Sequence, residues 1–321
     1  MWRYIVRRLL WVVVVMLVVT SITFLVFFVL PSTDPAVTFA GKNPTPEQIA
    51  VVRKQFGLDK PVWAQYGLFL KHIVLGDQYG WPGLGFSFVT RSPVRDQLLS
   101  RLPITIALAI GAAVVWLCIG IPIGIISAIK RRSLLDRSSM LAALFFVSAP
   151  VFWLGLVALW LFWYHLHWSP GTGYVPIGQS FSGWLSHMIM PWVVLALLYA
   201  AFYARMTRGN LIETMGQDYI RTARVKGLPE RTVILKHGVR ASLTPVVTLI
   251  GLDLGALLGG AVITETVFNL QGIGQWAVNS TFQGDLPAVL AVTLVVALAV
   301  TLMNLIVDIV YAYLDPRVRY A

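Results

Sequence analysis

Six stretches of this chain run for 17 or more residues with almost no charge, and nothing else in the sequence limits its fold so strongly. A helix needs about 20 apolar residues to cross roughly 30 Å of hydrocarbon. Leu9–Leu30, Leu102–Ile129, Ser138–Tyr164 and Met188–Ala204 are uncharged. Leu243–Ile263 carries one acid, Asp253, and Leu286–Leu314 carries Asp308 near its end. The runs are continuous and not alternating, which excludes the dyad pattern of a membrane β-barrel. Only 12% of the 321 residues are charged, against about a quarter in a soluble domain. So few charges cannot clothe a soluble globule of this length. One cysteine, Cys118, forbids an intrachain disulfide and a cysteine-based zinc cluster. The expected fold class is an all-α polytopic membrane protein with six transmembrane helices.

Orientation follows from the basic residues. Seventeen Lys and Arg fall before the first run, in 130–137, in 205–240 and in the tail, and the other eight all lie between Pro31 and Arg101. Loops 165–187 and 269–286 hold none. The positive-inside rule then places both termini in the cytoplasm. The net charge of +11 is therefore a topology signal and not a nucleic-acid footprint. The first run, preceded by Arg3, Arg7 and Arg8, exceeds a signal-peptide core and is expected to be a retained anchor.

The outer segment 31–101 has helical punctuation. Thr45-Pro46-Glu47-Gln48 is a capping box with proline at the first helical position, Ile49, Val52 and Phe56 share a face, and Gly57 stops the helix. A second pattern follows Pro61, with Val62, Tyr66, Phe69, Leu70 and Ile73 on one face and Gly76 at its end. Two short amphipathic helices lying on the outer membrane surface are expected, with a small domain that meets an external partner as the alternative. Gly80–Phe88 reads as a flexible, turn-rich insertion.

On the cytoplasmic side, Asp218 is placed to cap a helix Tyr219–Lys226 that Gly227 terminates, and Pro229 opens another to about Arg240. The first is only about 12 Å long and too short to be stable alone. It bears Arg221, Arg224 and Lys226. Two readings stay open from the residues: a basic helix seated in a partner's groove, or one bound to anionic lipid headgroups.

Catalytic chemistry has no support. No phosphate-binding loop exists, Gly272-Ile273-Gly274 lacks the third glycine of a dinucleotide fingerprint, and no nucleophile elbow or metalloprotease motif appears. His165 and His167 sit beside Trp168 with no carboxylate or cysteine to complete a metal set. Three acids need an account. Asp308 is expected to pair with Arg317 or Arg319, and Glu265 to lie within reach of water at the outer end of the fifth run. Asp253 is midway along that run, where an ionised carboxylate costs roughly 2.5–3.5 kcal/mol, so it must face a polar cavity or a partner. Gly251, Gly255 and Gly259 flank it as a small-residue face, and Gly120, Gly124 and Ala128 form a similar one. Close helix packing is the default for such glycines. Beside a midplane acid they point to an interface along a pathway.

Four pieces together resemble a known family. They are the start MWRYIVRRLL; FGLDKPVWAQYGLFLKHIVLGD with SPVRDQLLSRLPITIALA; the cytoplasmic DYIRTARVKGL; and GGAVITETVFNLQGIGQWAV with the terminal LDPRVR. The chain resembles the first of two membrane permeases in binding-protein-dependent ABC importers of the dipeptide, oligopeptide and nickel class. The resemblance implies a type I ABC importer permease fold. It divides the chain into an N-terminal transmembrane helix (1–30), an extracytoplasmic segment (31–101), a permease core (102–314) with a coupling loop at 209–242, and a cytoplasmic tail (315–321). It implies that Asp218, Tyr219, Arg221, Thr222, Ala223 and Gly227 couple to an ATPase, Arg221-Thr222-Ala223 standing at the family's Glu-Ala-Ala positions. Gly251, Asp253, Gly255 and Gly259 would lie on the translocation pathway or at the seam between permeases. The implied partners are a second permease, two cytosolic ATPases or one fused pair, an extracytoplasmic substrate-binding protein and membrane lipid. This chain would bind no cofactor, and ATP and Mg would be used by the ATPases. Its place would be the cytoplasmic (inner) membrane. The alternative class, a self-contained secondary transporter or channel, predicts repeats that the two halves do not display.

Overall fold

The computed structural model describes residues 2–41 and 43–314. Helix α1 (Trp2–Phe24) runs into five π-helical residues, Leu25–Val29. Three short helices follow, α2 (Pro35–Phe39), α3 (Pro46–Phe56) and α4 (Val62–Leu75), then the two-residue strands β1 (Phe86–Ser87) and β2 (Ser92–Pro93), paired antiparallel. Next come α5 (Val94–Ile129), α6 (Leu134–Ser148), α7 (Val151–Ala158) with a π-helical extension Leu159–His165, and α8 (Phe181–Met215). The segment after α8 holds α9 (Asp218–Val225), α10 (Glu230–Thr232), a π-helical stretch Val233–Val239 and α11 (Arg240–Ser242). The chain ends with α12 (Thr244–Leu258), α13 (Val262–Val267), α14 (Ile273–Gln283) and α15 (Leu286–Leu314).

Four helices are long and apolar enough to cross a membrane, and the number rises to six if each of two bent pairs counts as one span. Their most apolar windows are only 22% to 44% buried within the chain, so most of that surface is left for lipid or partners. At about 52 Å, α8 is far longer than the hydrocarbon is thick.

Three runs differ from their expected form. Ser138–Tyr164 is broken between α6 and α7 by a bend of 103°. Pro150 has no N–H to give the helix, and the residue before it, Ala149, sits in extended backbone at φ −75°, ψ 129°. Leu243–Ile263 is likewise not one helix. It begins as the continuation, bent by 45°, of the segment starting at Glu230, and it stops at Leu258 before Gly260, whose φ is +109°. Met188–Ala204 is the middle of a helix twice that length.

By contact the chain forms two compact units. The first comprises residues up to 106 with 255–265 and 271–305. Here α2, α3 and α4 do not lie as separate surface helices. Thr45 and Gln48 do close the capping box, and Gly57 does end α3 at φ +60°. The apolar faces of α2, α3 and α4 then meet one another and the end of α1, where Phe28 packs against Phe39, Phe56 and Phe69 with ring centroids 4.8 to 5.8 Å apart. Leu98, Trp276 and Ala291 complete this core. A single continuous aromatic core gives these short helices the stability that none has alone.

The turn-rich insertion is also held. Asp77 accepts from the Tyr79 and Gly85 N–H groups at 2.8 and 2.9 Å, Arg95 donates to the Tyr79 carbonyl at 3.0 Å, and Ser87 Oγ donates to buried Asp285 at 2.6 Å. The second unit, residues 107–254, 266–270 and from 306 on, centres on α5, α6 and α8. Gly120 and Gly124 let α5 approach α8 closely: a Cβ on them would stand 2.7 Å from the Ala200 carbonyl and 2.6 Å from that of Ala204. Close packing accounts for both. The proposed pairing of Asp308 with Arg317 or Arg319 lies outside the described residues.

Candidate functional site

The elbow that holds α9 is built on α8. Two residues after its end, Gln217 caps α9, so Asp218 is the first helical residue and not the cap. An acid there still favours the positive end of the helix dipole. At the other end, Gly227 N–H bonds the Arg224 carbonyl at 2.9 Å and Leu228 N–H reaches the Ala223 carbonyl at 3.4 Å. That pair of bonds is a Schellman closure, and it requires the left-handed φ of +78° that Gly227 adopts. Arg224 donates to both carboxylate oxygens of Glu230, at 3.1 and 2.7 Å, closing the turn, and the carboxylate raises the Arg224 guanidinium further above its ordinary value.

Helix α9 has two distinct faces. Ile220 and Ala223 are buried with Val233, and Met215 packs on them. Asp218, Tyr219, Arg221 and Thr222 are exposed, as is Gly227. Ala223, expected against an ATPase, is thus only 7% exposed and belongs to this chain's own small core. Val225, 88% exposed, is an outward apolar residue that the sequence reading did not single out.

A buried ionic knot stands on the same helix, above the elbow. The Asp136 carboxylate accepts Arg208 Nε at 2.6 Å and Nη2 at 2.9 Å, Ser127 Oγ at 2.7 Å and the Arg132 N–H at 2.8 Å. It ties the end of α5 and the start of α6 to α8, about two turns before α8 ends. A signal existed in Ser133-Leu134-Leu135-Asp136, a capping-type spacing that Ser133 Oγ fulfils by accepting the Asp136 N–H. The arginine partner, 72 residues away, had none.

Asp253 has a partner within the chain. Tyr203 Oη donates to its Oδ2 at 2.7 Å. Tyr203 is fully buried, and Trp116 stacks on Tyr199 and Tyr203 with centroids 4.7 and 6.1 Å apart. The carboxylate itself is half-buried. Gly251 lies buried two residues earlier. Gly255 and Gly259, by contrast, are used within the first unit, where a Cβ would come 3.3 Å from Val300 and 3.0 Å from Val296 on α15.

Glu265 is not within reach of water: it is fully buried. Thr105 Oγ1 donates to Oε1 at 2.7 Å and the Gln275 N–H to Oε2 at 2.8 Å, while Thr105 accepts the Ile273 N–H at 2.9 Å. Burial pushes this carboxyl up, and the hydrogen bonds oppose that shift. Gly272 and Gly274, read above only as an incomplete fingerprint, wrap the carboxylate so tightly that a Cβ on Gly272 would stand 2.5 Å from Glu265 and from Thr105. Burial raises the Asp285 carboxyl in the same way, against the bond from Ser87.

Comparisons with known proteins define the class. The family described as "Binding-protein-dependent transport system inner membrane component" matches residues 120–320, and the N-terminal component of such systems matches residues 1–109. The chain belongs to this family of multi-pass inner-membrane transport components. It is 37% identical to a dipeptide transport system permease protein, DppB, of Alkalihalophilus pseudofirmus over 100% of both chains. It is 35% identical to DppB of Escherichia coli K12, over 100% of this chain and 99% of that one. A putative peptide transport system permease of Brucella abortus is 40% identical over 98% of each. Among solved structures, the inward-facing MetNI methionine ABC transporter aligns with a TM-score of 0.56 over 70% of this chain and 98% of that one, at 20% identity. That likeness concerns the fold alone, which is of the type I ABC importer permease kind.

Proposed function

We propose that this chain forms half of the translocation pathway of an ATP-driven importer of di- and oligopeptides and couples that pathway to cytosolic ATPases. Membership of the transport family and the peptide-permease names of full-length relatives support the reading. On this chain's own residues, the elbow carries it. An eight-residue helix takes its rigidity from packing and not from propensity, so a push on its outer face is delivered to α8 through Ile220, Ala223 and Met215. The outer face offers Asp218, Tyr219, Arg221, Thr222 and Val225 to an ATPase groove, with Gly227 setting the angle of the elbow. Ala223 acts from inside, as the floor on which that face rests.

The domain plan keeps the expected boundaries: an N-terminal helix to residue 30, an outer segment to 101, the core to 314 with its coupling loop at 209–242, and the tail, with both termini cytoplasmic. The partners are a second permease, two ATPase subunits or one fused pair, an extracytoplasmic binding protein and lipid. The chain itself hydrolyses nothing and holds no cofactor, and ATP and Mg serve the ATPases. Asp253 and Gly251 line the pathway or the seam between permeases, and Gly255 and Gly259 let their own segment approach α15.

The test is purification of the tagged chain from its native membrane, followed by reconstitution. A second permease and ATPase subunits should co-purify, and proteoliposomes with binding protein should take up labelled dipeptide only when ATP is supplied on the ATPase side. Uptake driven by an ion gradient without ATP would refute the reading.

A further inference from the structure

An ionisable side chain inside an apolar run needs a partner, and its identity follows from what the fold leaves open. At Asp253 the fold supplies one hydrogen bond, from Tyr203 Oη to Oδ2 at 2.7 Å. Among the described residues no Lys, Arg or His forms an ion pair with it. Tyr203 has no freedom to leave, being fully buried beneath Trp116 and beside Tyr199. The carboxylate is therefore aimed but not neutralised. A half-buried acid in an apolar run, held by one neutral hydrogen bond and by no ion pair among the described residues, marks a place that another molecule completes. The partly exposed Tyr199 ring adds an electron-rich face suited to a cation.

We infer that Asp253, oriented by Tyr203 and flanked by Tyr199 and Trp116, is a binding site for the primary ammonium group at the N-terminus of a translocating peptide. The inference rests on the peptide-import reading above. A peptide offers what this acid lacks: a positive charge for the carboxylate and N–H donors on that same ammonium for its open oxygen. A proton would cancel the charge but leave the Tyr199 ring face without a cation, and a second permease contributing a Lys or Arg would leave the site blocked to cargo.

The experiment uses the complete transporter in nanodiscs without its binding protein, so that selection by that protein does not enter. Two probes are compared: p-benzoylphenylalanyl-glycine with a free amine, and its N-acetyl derivative. After illumination, mass spectrometry reads labelling on α8 and α12. The free-amine peptide should label the Tyr203–Asp253 region about tenfold more than the acetylated one, the worth of one charge-assisted bond. Asp253→Asn should abolish that preference, and Asp253→Glu should retain it. Equal labelling by both probes in the unaltered transporter, or a preference that survives Asp253→Asn, would overturn the inference. Loss of the second permease from Asp253→Asn and not from Asp253→Glu would also overturn it, assigning the carboxylate to the seam. Uptake of the free-amine dipeptide by proteoliposomes with binding protein and ATP is measured in parallel. Uptake without amine-dependent labelling removes the site and leaves peptide import standing; absence of any peptide uptake removes both.

Discussion

The Asp136 knot gives a stability prediction whose size can be worked from the structure. Asp136 is 5% exposed in its side chain and accepts from four donors, two of them on Arg208, which keeps 26% of its side chain exposed. Removing one member of a buried ion pair costs about 3–5 kcal/mol, because the other is left without its counter-charge. Water reaching Arg208 relieves part of that, so Asp136→Ala should cost about 3 kcal/mol. Asp136→Asn keeps an acceptor for Ser127 or for Arg208 and should cost about half as much. At roughly 2 °C per kcal/mol for a chain of this length, the unfolding midpoint of the purified transporter should fall by about 6 °C for alanine and about 3 °C for asparagine. Deleting both charges with apolar groups removes the uncompensated arginine. Asp136→Leu combined with Arg208→Met should therefore recover to within about 1 kcal/mol of the unaltered protein. A midpoint within about 1 °C for Asp136→Ala would refute the reasoning, as would a double variant worse than the sum of its singles.

Gly227→Val meets no neighbouring atom but forces a branched side chain to φ +78°, at a cost of about 1–2 kcal/mol, so binding-protein-stimulated ATP hydrolysis and uptake should fall together while Gly227→Asn stays near normal. Full stimulation of the valine variant would mean that the elbow's angle does not matter to coupling. Gly272→Ala should disrupt the Glu265–Thr105 bond and lower the yield of folded protein, as Thr105→Val should through loss of the same bond. Normal yield in both would show that the knot around Glu265 is dispensable. In a variant lacking Cys118, a cysteine at Arg221 should react with an impermeant thiol reagent only from the cytoplasmic side, and one at Lys54 only from the outside; labelling of both from one side would overturn the topology.

What the sequence disclosed and what it concealed divide along the range of the interactions. The capping box at Thr45 and the stops at Gly57 and Gly227 are local, decided by neighbours within a turn, and they appear where the spacing predicts. The break at Ala149-Pro150 was local too, but hydropathy sums do not register a missing N–H, so a broken element read as one continuous span. The buried carboxylates belong to another kind. Glu265 looked like a water-facing acid because its apolar surroundings are assembled from Thr105, 160 residues distant, and from a glycine-bounded turn whose reason is contact with the carboxylate itself. Asp136 needed Arg208 from α8, and Asp253 needed Tyr203 from the same helix, seven and twelve residues before Met215 ends it. One helix thus carries the tyrosine that orients the intramembrane acid, the arginine that anchors its neighbours and the methionine under the elbow. Any displacement of α9 that α8 follows as a rigid rod must reach the Asp253 layer. A break in that rod between Tyr203 and Met215, such as Asn210→Pro, should therefore abolish uptake while ATPases still bind, and uptake that survives it would deny α8 the part of transmitter.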